Sequence, residues 1–283
     1  MAEKRGMLER VERVDPRILF ILLFLAVALP LIRPIGLPIA MSPMTSAFFK
    51  EVDGLKPGSV VWVSFDYSPA ALPEQYPQSL AVLSHLATKG AKIVAVSFWP
   101  DGAPIIDRAL MDVFGATKDH PKYGADFVNL GYVPGLEPGM ASFAKDVHAT
   151  APKDYYGNPI GALPMMKDVK SAKDFTMLIA LSSGTPGYLE LLRQVQAPYG
   201  VPIVAGVTAV VGPGIRPFYP GQIFGILEGL AGAAEYEVLL IRYGYRGTLA
   251  APMDAQSVTH VLIIVFILIG NIAFLSRKYR GVR

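Results

Sequence analysis

Two long apolar runs lie near the ends of this chain, and short apolar blocks alternate with amphipathic ones between them. The first run, Ile18 to Ile32, extends through residues 33–40; the second covers residues 257–275. Each approaches the roughly 20 apolar residues that a helix needs to cross a hydrocarbon core of about 30 Å. The pattern therefore predicts transmembrane helices at 18–40 and 257–275. The first run also has the basic start and small-residue end of a signal peptide. It is read as an uncleaved anchor, with a cleaved leader as the rival.

Between the runs the period changes from element to element. Ser59–Phe65 is apolar, rich in β-branched and aromatic residues, and bounded by turn formers, so it reads as a strand. Leu80, Leu83, Leu86 and Ala87 follow at helical spacing, and Gly90 ends that helix. The alternation repeats. Strands are expected at 91–98, 126–131, 175–181 and 202–208, and helices at 104–114, 137–147, 186–197 and 222–240. Residues 149–170 look like an irregular insertion. Strands that are apolar throughout, separated by helices, imply a parallel sheet covered on both faces. The expectation is a doubly wound, mostly parallel five-stranded α/β domain at 45–250, Rossmann-like or flavodoxin-like, flanked by the two transmembrane helices.

Charge adds the orientation. Lys4, Arg5, Arg10, Arg13 and Arg17 precede the first run, and Arg277, Lys278, Arg280 and Arg283 follow the second. Lys and Arg beside a span set its direction. The tails at 1–17 and 276–283 should therefore be cytoplasmic, with the middle domain on the far side of the cell membrane. The net charge of +3 resides in these tails, and the middle is slightly acidic. A nucleic-acid partner is not expected. The expected partners are the lipid bilayer and copies of the chain or other membrane proteins. There is no cysteine, which removes thiol chemistry and disulfides together.

Candidate chemistry is sparse. The turn after the first strand, Asp66 to Ala71, has no glycine and so lacks a dinucleotide fingerprint. No phosphate-loop Gly-Lys-Ser/Thr occurs, the serines at 182–183 lack a nucleophile elbow, and the four histidines have no ligand spacing. No cofactor or metal is expected. In an open parallel sheet, ligands bind beyond the carboxyl ends of the strands. That rule selects Asp66, Asp101, Ser183 and Arg216 as catalytic candidates. It selects Ser182, Ser183, Gly184 and Thr185 as an anion-binding loop, for which helix capping is the plainer use. Gly225, Gly229 and Gly232, placed on the expected last helix, suggest close packing, either on the domain's own sheet or at a subunit interface.

Two functions fit. One is a non-enzymatic, membrane-anchored structural or partner-binding subunit of a homo-oligomeric or larger assembly. The other is a membrane-anchored hydrolase or transferase acting on an envelope substrate at the strand ends.

Overall fold

The computed structural model describes residues 15–115 and 118–279, the last four as backbone only. The chain divides into two compact units. One contains the described parts of 1–38 and 248–283, and the other runs from Ile39 to Gly247.

The first unit pairs helix α1, Pro16–Ile32, with the C-terminal helix α8, Ala250–Tyr279. Helix α1 ends because Arg33 precedes Pro34, whose ring disfavours helical backbone at the residue before it; Arg33 is extended. At 17 residues, α1 is about 26 Å long at 1.5 Å per residue. It is therefore shorter than the expected span at 18–40. Among the described residues, one helix is long and apolar enough to cross a membrane, the stretch Ala250–Leu275 of α8. The expectation of two such helices is corrected to one. Asp254 of α8 fastens the segment after α1, its carboxylate accepting from the backbone N–H groups of Ile35, Gly36 and Leu37 at 2.6, 2.8 and 2.9 Å.

The second unit is a six-stranded, all-parallel sheet in the order β3-β2-β1-β4-β5-β6. The strands are β1 Val60–Asp66, β2 Lys92–Ser97, β3 Phe127–Tyr132, β4 Met177–Ser182, β5 Ile203–Val207 and β6 Ile223–Glu228. This is the doubly wound order of dinucleotide-binding folds, with a switch point between β1 and β4. Alternation along β1 separates the two faces: Val61, Val63 and Phe65 enter one core, and Trp62 enters the other. The first core is covered by α2 Pro43–Asp53, α3 Leu72–Thr88, α4 Gly102–Phe114 and α7 Gly229–Leu240. The second is covered by α5 Leu136–Lys145, residues of the insertion, and α6 Tyr188–Leu191, which continues as a π-helical turn over Leu192–Gln196.

The strand count differs from the expected five. Residues 223–228 form β6, although 222–240 reads as one helix from its small-residue spacing. The register slips between Ile203 and Ala205 of β5, where β6 has an extra residue. At this bulge Gly225 lies so close to α2 that an added Cβ would come within 2.3 Å of the backbone N and Cα of Phe48. The helix begins only at Gly229, which has φ +61°.

Candidate functional site

The carboxyl ends of β1 and β4 form the switch point, and the side chains there are largely engaged with one another. Asp66, the last residue of β1, is fully buried. Its carboxylate accepts from Ser64 Oγ at 2.5 Å and from the backbone N–H of Phe98 at 2.7 Å. Burial pushes its carboxyl up to about 7, and these hydrogen bonds offset that only in part. Ser97, at the end of β2, donates to the Phe65 carbonyl at 2.6 Å, joining the tips of the two strands.

Trp99 crosses the crevice. Its indole N–H donates to the Pro186 carbonyl at 2.7 Å, and its ring would lie 3.2 Å from a Cβ added at Gly184. The loop after β4 therefore accepts glycine at 184 because an aromatic ring occupies the side-chain space. The first donors of α6 are also taken within the chain. The N–H of Gly187 bonds to Glu190 Oε2 at 2.7 Å, and that of Tyr188 to Ser182 Oγ at 3.3 Å. Ser182 and Glu190 are buried, and the Ser183 N–H donates to the Asp66 carbonyl. Ser182 thus caps the helix that follows it. Ser183 and Gly184 are half-buried, and Thr185 is exposed.

Beneath the other side of the crevice, Gln75 and Gln78 of α3 are fully buried. Gln75 Nε2 donates to the carbonyls of Ser182 and Gly206, and Gln78 Nε2 to those of Val207 and Gly229. Two amides thus collect carbonyls at the ends of β4 and β5 and at the start of α7. Sequence reasoning missed both, although two glutamines three apart on the buried side of a helix were the available signal. It also missed Trp99 as the crossing residue and Glu190 as the buried carboxylate.

The four catalytic candidates occupy different settings. Asp66 is enclosed, whereas Asp101 is exposed before α4 and makes no capping bond there. Arg216 is exposed and engages Glu228 through both fork nitrogens at 2.9 and 2.7 Å. The three glycines are each buried against atoms of their own domain: Gly225 against Phe48, Gly229 against Ala209 and Glu74, and Gly232 against the backbone of Leu227. Among the described residues, no three His, Asp or Glu side chains converge as a cation site.

Fold and site together define an α/β protein with dinucleotide-fold strand order whose switch crevice is packed with its own side chains. No family model matches the sequence, and no curated protein does. Among solved structures the chain has a weak likeness to one described as "crystal structure of AibC". The two share 14% identity at a TM-score of 0.34, over 81% of this chain and 54% of that one. The chain thus spans about half the length of that protein, and a likeness at this level carries no argument about either fold or function.

Proposed function

We propose that this chain is a membrane-anchored, non-enzymatic α/β subunit whose middle domain binds copies of itself or another membrane protein. The observation that carries this reading is the self-occupied switch crevice. Trp99 and Pro186 tie its two lips together, Gln75 and Gln78 bind the carbonyls below, and Arg216 is committed to Glu228. A fold of this class normally keeps that place open for a ligand.

The anchoring half of the reading rests on the first unit. Helix α8 is long enough to span. Helix α1 is short, but the segment after it continues alongside α8, with three of its N–H groups held by Asp254. The basic clusters outside both apolar runs support cytoplasmic tails and an extracytoplasmic domain.

A second reading, a hydrolase or transferase, draws on Asp66, whose carboxyl burial holds near neutrality. Light scattering coupled to size exclusion of the full chain in mild detergent tests the first reading. The expected result is a discrete multimer or a stoichiometric complex. A clean monomer with no copurifying protein would count against it.

A further inference from the structure

We propose that the groove between α1 and α8 holds one acyl chain of an anionic phospholipid, with Arg33 engaging its phosphate. The inference rests on the membrane anchoring argued above and adds a specific ligand class.

The groove is lined by apolar side chains, among them Leu22, Leu25, Leu29, Ile35, Val258 and Leu262, and has a volume of about 620 Å³. That lies within the roughly 300–1,000 Å³ of small-molecule sites. Its length suits one leaflet. From Leu22 to Arg33 the helical rise of 1.5 Å per residue gives about 16 Å, close to half of a core about 30 Å thick. A chain entering beside Arg33 would lie along α1 as far as Leu22.

Charge selects the headgroup. Arg33 lines the same groove, is exposed, and has no ion-pair partner among the described residues. The only acid in residues 16–38 and 248–279 is Asp254, and its carboxylate is already bonded to three backbone N–H groups. The local fold therefore leaves a guanidinium uncompensated at the end of an apolar channel. An arginine beside hydrocarbon is costly without an anion, and its planar fork matches a phosphate. A zwitterionic lipid offers the same phosphate with a cation attached, so an anionic lipid is favoured.

Native mass spectrometry of the full chain, released from detergent micelles, tests this with three probes: phosphatidylglycerol, phosphatidylcholine with identical acyl chains, and inorganic phosphate. One phosphatidylglycerol should be retained under activation that strips phosphatidylcholine, and inorganic phosphate should not displace it. Arg33→Gln should weaken phosphatidylglycerol retention roughly tenfold, the worth of one charge-assisted hydrogen-bonded pair, while Arg33→Lys retains part of it. Leu25→Trp, which fills the groove, should abolish retention with Arg33 intact. Equal retention of the two lipids, an unaffected Arg33→Gln variant, or a dimer that closes the groove without lipid would each overturn the proposal. A chain that alkaline carbonate extracts from membranes would instead overturn the anchoring reading. A chain that stays in the membrane but shows no lipid preference would overturn only the lipid site.

Discussion

The indole nitrogen of Trp99 lies 2.7 Å from the carbonyl oxygen of Pro186, and this one hydrogen bond links the loops after β2 and β4 over the switch point of the sheet. Trp99→Phe keeps an aromatic ring beside Gly184 but removes the donor. The expected cost is about 1 kcal/mol, the net worth of a neutral hydrogen bond. Hydrogen exchange should accelerate at residues 183–187 while the strands themselves stay protected. Unchanged exchange in that loop would show that the tie does not close the crevice.

Two buried groups give opposite pH dependences. Asp66 has a carboxyl raised by burial from 3.8 to about 7, so the folded state holds its proton more tightly than the unfolded chain. Its contribution is full below about pH 4 and lost as pH rises toward 7. His85 is fully buried, between Tyr236 at 2.7 Å on Nδ1 and Asp53 at 3.3 Å on Nε2. Burial lowers its imidazole from 6.5 to about 4, with Asp53 opposing the shift. Its contribution is full above pH 6.5 and lost as pH falls toward 4. In the native chain the two trends cancel over much of pH 4–6.5. In Asp66→Asn only the histidine trend remains, so the thermal midpoint should fall steadily on acidification across that range. A wild type that falls as steeply as the variant would mean that Asp66 is ionised when folded, and a flat variant would mean that His85 does not set the trend.

Glycine substitutions separate internal packing from an outer interface. Gly225→Ala places a methyl group 2.3 Å from the Phe48 backbone and should destabilise by about 1–3 kcal/mol or more, as overpacking does. Gly221→Ala meets nothing within 4 Å and should be nearly neutral. Thermal unfolding of the two variants side by side checks this. A Gly225→Ala protein of full stability but altered subunit number would return that glycine to an interface.

Asp254→Ala frees three N–H groups in the segment after α1. Bonds to charged acceptors are worth about 1.5–3 kcal/mol each before compensation by water or lipid. A loss on the order of 3 kcal/mol in the association of α1 with α8 is therefore expected. The chain has no native cysteine, so cysteines placed at Leu25 and Leu262, which line one groove, report the change directly. Their cross-linking should fall sharply in the Asp254→Ala background and be partly kept in Asp254→Asn.

Sidedness is checked by the same chemistry. Lys173→Cys, at an exposed position in the middle domain, should react with a membrane-impermeant maleimide in intact cells. Ser276→Cys should react only after permeabilisation. The reverse pattern would place the domain in the cytoplasm.

The parallel α/β architecture was legible because its strands are buried on both faces and so read as unbroken apolar blocks. Val60–Asp66 and Met177–Ser182 were anticipated to within one or two residues at each end. Strand β6 was not. Its Gly225 and the following Gly229, Gly232 and alanines mimic a helix periodicity, and tertiary contact with Phe48, not local preference, sets the strand. The first apolar run reads as a longer helix than it forms because hydropathy averages across Arg33-Pro34, where backbone sterics end α1. Helix α2 is absent from the expectation although Ser42 as N-cap and Pro43 in the first turn mark its start. Proximity to strand ends located Asp66 at the carboxyl end of β1, which is a statement of position and not of role. It could not reveal that Arg216 pairs with Glu228 or that Trp99 reaches Pro186, since both depend on loop conformation.

Both ends of the sheet domain return to one helix. The N–H of Ser42 bonds to Glu235 at 2.9 Å, and Gly247 lies against Glu237, two residues further along α7. Residues near both ends of the domain therefore meet α7 within one turn of each other. Chain ends that lie close together make a domain tolerant of insertion, so this one could be transplanted into the loop of an unrelated helical hairpin.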